Sequence, residues 1–150
     1  MKKKNLTVRF GIYMFLSMAA LFFAMKLVGL EKITELRLIN VVIAALFSNR
    51  LAQANMIDDA EIDYVSNLGS LFFANLIAVV LSCVGLIFYV NVIDSGFMES
   101  LGNGFFLGKH LDINKIAVAV LLEGSAASII VSFSIMQYWK NVKRRTRKII

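Results

Sequence analysis

Proline is absent from this 150-residue chain, and cysteine, histidine and tryptophan occur once each. Discontinuous helices of the transporter kind often break at proline or glycine, so straight, simple helices are expected. A lone Cys83 cannot close a disulfide within one chain, and one cysteine with one histidine, His110, cannot build a metal cluster. Charge is scarce too: 17% of residues are charged against 59% hydrophobic. A soluble domain of this length would carry more charge and would break its apolar residues into helix or strand periods. There is no Ser-His-Asp set, zinc motif or glycine-rich nucleotide loop. Catalysis has no foothold, and neither an enzyme nor a cofactor is expected.

What the chain does have is long apolar blocks, which belong in lipid. It reads as an all-α polytopic membrane protein, a single domain over residues 1–150 with four transmembrane helices. The spans fall at about 8–30, 36–56, 68–93 and 114–139, each meeting the need for ~20 residues across a ~30 Å hydrocarbon core. The second is the weakest. Its apolar core, Val41–Phe47, is short and is interrupted by Ser48-Asn49-Arg50, so a helix lying partly in the interface is its alternative. The basic start, Lys2 to Arg9, is followed by apolar Phe10–Met25 without a polar cleavage region, which reads as an uncleaved signal anchor.

Ten of the sixteen basic residues cluster at the two ends: Lys2, Lys3, Lys4 and Arg9, then Lys140, Lys143, Arg144, Arg145, Arg147 and Lys148. An even number of spans puts both ends on one side, and the positive-inside rule makes that side the cytoplasm. The tail 140–150 could be mistaken for a nucleic-acid patch. Next to a span, its charges set topology and attract anionic lipid, each worth ~1 kcal/mol near the surface, and no nucleic-acid partner is implied. Gln137-Tyr138-Trp139 forms an interfacial aromatic anchor beside it. In the connection Asp94–Asn114, Phe97, Met98, Leu101, Phe105, Phe106 and Leu107 alternate with Gly102, Gly104 and Gly108. This reads as a short interfacial amphipathic turn with a glycine-rich return, either a lipid-touching loop or a lid or docking element.

Glu123 is the one carboxylate inside an apolar span. Such a group costs on the order of 2.5–3.5 kcal/mol at the helix centre and normally faces protein or water. It lies about 12 Å in from the non-cytoplasmic end of the last span. Ser82 on the third span comes to the same level, and Lys26 falls about 6 Å nearer the outer surface in depth, within much of a lysine's reach. Glu123, Ser82 and Lys26 therefore form the candidate intramembrane polar site. Gly124, Ser128 and Ser132, at four-residue spacing, mark a helix-packing stripe, within this chain or with another. Arg50 and Asn75 fall at similar depth near the cytoplasmic side, as an inner polar pair or with Arg50 snorkelling to headgroups.

The last span, Leu122-Glu123-Gly124 through Ser128 to Ser132-Phe-Ser-Ile-Met136-Gln137-Tyr138, resembles a family of small four-helix membrane proteins of unknown function common in Bacteroidetes. The resemblance covers most of the chain. It implies the four-helix layout and a bacterial inner membrane, and no activity. Small multidrug transporters also carry a membrane carboxylate in a four-helix chain, but theirs is on the first helix and their charge bias is weak. The reading is thus a non-enzymatic scaffold or accessory subunit of a membrane assembly, with a membrane-protein partner or homo-oligomer. The alternative is a proton- or cation-coupled small-solute carrier or channel using Glu123.

Overall fold

A computed structural model describes residues 2–29, 38–58, 63–93 and 113–147, with side chains described over 5–29, 38–56, 63–93 and 113–140. The Asp94–Asn114 connection, with the expected amphipathic turn and His110, falls almost wholly outside them. Four helices make up the described chain: α1 (Lys2–Leu27), α2 (Leu38–Asp58), α3 (Tyr64–Val92) and α4 (Ile113–Arg147). With no proline to remove a backbone donor, each apolar block continues as uninterrupted helix. The helices overrun the expected spans at the basic ends: α1 takes in Lys2 to Lys4, and α4 continues from Trp139 to Arg147. Gly29, at φ 74°, follows the end of α1, its N–H donating to the Lys26 carbonyl. Such left-handed backbone is cheap only without a Cβ. At α3, extended Asp63 starts the helix by accepting from the Asn67 N–H.

Three stretches, Asn5–Leu27, Tyr64–Val92 and Ile113–Lys140, are long and apolar enough to cross a membrane. The 21 residues of α2 would cover ~30 Å, but Ser48, Asn49, Arg50, Gln53 and Asn55 dilute its apolar content.

Side-chain register fixes the helix directions. Gly11 lies against Ala74 and Ile77, and Phe22 stacks edge-on to Tyr89, so α1 and α3 run the same way. Asn55 meets Asn67 and Asn75 meets Ser48, so α2 runs against α3. Gly124 meets Val79, and Cys83 Sγ lies near the Ala117 carbonyl, so α4 also runs against α3. The starts of α1 and α3 and the ends of α2 and α4 therefore share one end of the bundle. The basic residues Arg9 and Lys140 are both at that end.

A core of Met14, Leu51, Ala52, Leu71, Ala74, Ala78 and Met136 fills the bundle toward this end, with Phe10, Phe47 and Trp139 packed around it. A smaller cluster, Tyr89 and Val90 with Phe22, Leu86 and Ile113, closes the other end. Contact between α1 and α3 is close because Gly11 has no side chain: a Cβ there would lie 2.8 Å from the Ala74 carbonyl oxygen.

Polarity is distributed inside out. Ser48, Asn55, Asn67, Asn75, Ser128 and Ser132 are buried, while Leu16, Leu46, Phe73, Phe88, Leu122 and Ile130 are each more than half exposed. In water, that arrangement would forfeit the main driving force for folding. In lipid, which is as apolar as leucine, small and polar residues hold helices together and apolar ones face outward.

Candidate functional site

The buried polar groups form a ladder through the basic-end half of the bundle, linking α2, α3 and α4. Near the end, Gln137 Nε2 lies 3.5 Å from the Tyr64 hydroxyl, while the Trp139 indole reaches inward, its Nε1 donating at 2.9 Å to Oδ1 of Asn49, the neighbour of Ser48 on α2. The Lys140 ammonium sits over the Tyr64 ring, 5.7 Å from its centre. Next, Asn55 Nδ2 donates to Asn67 Oδ1 at 2.7 Å. About three turns of α3 beyond Tyr64 comes the hub, Asn75. Its Nδ2 donates to Ser48 Oγ at 2.8 Å and the Leu71 carbonyl at 2.9 Å, with Ser132 Oγ at 3.4 Å. An amide nitrogen has two hydrogens for these three acceptors, so Ser132, the most distant, has the weakest share. Asn67 Nδ2 finds no acceptor among the described residues.

Asn75 thus bonds Ser48 and Ser132, and Arg50 is exposed. The expected Arg50–Asn75 pair is not formed. Residues two apart on a helix differ by about 200° in direction, so placing Ser48 inward turns Arg50 outward. The stripe Gly124, Ser128 and Ser132 faces α3. A Cβ at Gly124 would lie 2.7 Å from Val79 Cγ1. Ser128 Oγ donates to the Gly124 carbonyl at 2.7 Å, turning its polarity back into its own helix.

The expected grouping of Glu123, Ser82 and Lys26 is not assembled. Lys26 Nζ donates to the Tyr89 hydroxyl and sits 4.7 Å from the ring centre, among Phe22 and Phe23 at the far end. Gly124, beside Glu123, is level with Val79. The ten residues from Val79 to Tyr89 are about 15 Å of helix, well beyond a lysine's reach. Ser82 is near the right depth, within about a turn of Glu123, and is half-buried. The obstacle is rotation. Gly124 points at α3, so Glu123, about 100° around the helix, cannot also do so. It is exposed, with Ala126, Ile130 and Phe133 exposed on the same side at i+3, i+7 and i+10. Glu123 makes no hydrogen bond or ion pair with any described residue.

The Asn55–Asn67 and Ser48–Asn75 contacts escaped sequence reasoning, although a signal was present. Each pair is nearly equidistant from the middle of the α2–α3 connection, as facing positions of a helical hairpin must be. Comparison with protein families, curated proteins and solved structures finds no match.

Proposed function

We propose that this chain is an integral membrane protein of the bacterial inner membrane and a non-catalytic scaffold or accessory subunit of a membrane assembly. The observation that carries the reading is the position of Glu123, outside the bundle on an apolar face. A carboxyl group in contact with lipid is expensive, and a neighbouring protein surface offers it hydrogen bonding. The bundle interior holds amides and hydroxyls, and among the described residues no carboxylate. That composition favours structural bonding over the carrier alternative, which needs a carboxylate on an internal path.

In this proposal α2 is the fourth span, its amides and hydroxyls turned to α3 and its Leu38, Val42 and Leu46 to lipid. Both chain ends lie in the cytoplasm, and the basic tail rests against anionic headgroups. The resemblance to the four-helix family of Bacteroidetes belongs to the same proposal.

Purification from native membranes in mild detergent tests the role. A stoichiometric membrane-protein partner supports it. Solute flux through vesicles of the purified chain, lost in a folded Glu123→Gln variant, overturns it in favour of the carrier.

A further inference from the structure

We infer that the outer seam between α1 and α2 binds an anionic phospholipid of the cytoplasmic leaflet, its phosphate held between Arg9 and Arg50. The inference rests on the membrane reading above and names a defined site apart from the basic tail. Phe10 and Phe47 meet edge-on across the seam, ring centres 6.5 Å apart, which sets the register of the two helices. Arg9 is one residue and Arg50 three residues toward the basic end from that contact, so their levels differ by about 3 Å. Rotation brings them to the same side. In each helix the residue four past the phenylalanine, Met14 or Leu51, is fully buried in the core, about 40° to one side of the contact. Arg9 and Arg50 fall about 100° and 60° to the other side, and both are exposed. Because α1 and α2 run in opposite directions, turns of like sense lead to one flank of the seam. Both guanidiniums stand on that flank.

The flank calls for an anion. Arg9 donates to the Tyr13 hydroxyl at 3.4 Å, and neither arginine has an ion pair among the described residues. The described carboxylates, Asp63 and Glu123, belong to the start of α3 and to α4. Two guanidiniums at one level repel each other unless an anion lies between them, and their planar forks match phosphate oxygens. Tyr13, nearly half exposed on the same flank, keeps its O–H proton for a further phosphate oxygen. The level fits as well. Arg50 is two residues past the Ser48 that meets Asn75, and from there to Val92 is about 28 Å of helix. That is close to the ~30 Å of a hydrocarbon layer, beyond which the phosphates begin. Toward the far end the same flank turns apolar, with Leu16 on α1 and Leu46 and Ile39 on α2 exposed to take an acyl chain. A zwitterionic headgroup would bring its own ammonium against the two arginines, so the lipid is one of net negative charge.

The test is native mass spectrometry of the purified, delipidated chain in detergent, with dioleoyl phosphatidylglycerol or the matching phosphatidylethanolamine added. The unmodified chain should retain phosphatidylglycerol in preference to phosphatidylethanolamine. Arg9→Gln and Arg50→Gln should each weaken that binding about tenfold. Lys140→Gln, an equal loss of charge at the same end, should leave it nearly unchanged. Arg50→Lys, which keeps the charge and loses the fork, should recover only part of the affinity. In vesicles, a photoreactive phosphatidylglycerol should mark the peptides around Arg9 and Arg50 of the unmodified chain ahead of those of α3 and α4, which no folding defect can mimic. Equal losses in Arg50→Gln and Lys140→Gln, or equal retention of the two lipids, overturn the inference. So does displacement of phosphatidylglycerol by glycerol phosphate at the same concentration, which would show that the acyl chains are not seated. A chain that stays in the membrane fraction and prefers no lipid loses this site alone. A chain absent from the membrane fraction loses the membrane reading with it.

Discussion

Asn55 and Asn67 face each other across the α2–α3 hairpin, joined at 2.7 Å and both at least 98% buried. Replacing one leaves the other amide without its bond in a low-dielectric interior. Asn55→Leu should lower stability in detergent by about 1–2 kcal/mol, read as a lower unfolding midpoint. The Asn55→Leu/Asn67→Leu double variant should recover part of that loss, because no polar group is then left buried. Strict additivity in the double-variant cycle would show that the bond contributes nothing.

The two hydroxyls around Asn75 should not be equivalent. Ser48 Oγ is 2.8 Å from Asn75 Nδ2 and Ser132 Oγ is 3.4 Å away. Ser48→Ala should therefore cost more than Ser132→Ala, and Asn75→Leu, which removes every contact of the hub, more than either. Thermal unfolding of the three purified variants gives the order, and a reversed order for the two serines contradicts the geometry.

Two glycines set helix spacing by different means. A Cβ at Gly11 would press on the Ala74 carbonyl oxygen, backbone that cannot rotate away, and one at Gly124 would press on the methyls of Val79. Both Gly11→Ala and Gly124→Ala should destabilise, by about 1–3 kcal/mol. Val79→Ala should rescue Gly124→Ala, whereas no single side-chain truncation in α3 should rescue Gly11→Ala. Rescue failing at Gly124 would mean that the α3–α4 contact is set elsewhere.

The proposed topology has its own test. With Cys83→Ser, cysteines at Lys3 and Lys148 should resist a membrane-impermeant maleimide in intact cells and react once the cells are opened. Labelling of either in intact cells would place that end outside, and with it an odd number of crossings or the opposite orientation.

The all-α class and the order of four helices were legible because unbroken apolar length can be counted along the chain; the helix ends were not, since α1 takes in Lys2 to Lys4 and the last helix runs on to Arg147. Depth was partly legible for the same reason: Ser82 does come close to the level of Glu123. Rotation about the axis was misjudged. The Gly124, Ser128 and Ser132 stripe marks the side of α4 that meets another helix, and a residue adjacent to Gly124 is about 100° off that side. Reading the stripe first would have turned Glu123 outward. Arg50 and Asn75 failed likewise, matched in level and not in direction. Lys26 was misplaced by an axial error, since Tyr89 holds it at the far end.

The two rungs between α2 and α3, Asn55 with Asn67 and Ser48 with Asn75, act as a vernier on the hairpin. Sliding α2 by the rise of a single residue, about 1.5 Å, would pull both of its polar groups off their partners at once. Neither rung could slip alone while the other held. Intermediate alignments of the two helices would strand buried amides without partners, so the hairpin has one seating and no gradual approach to it.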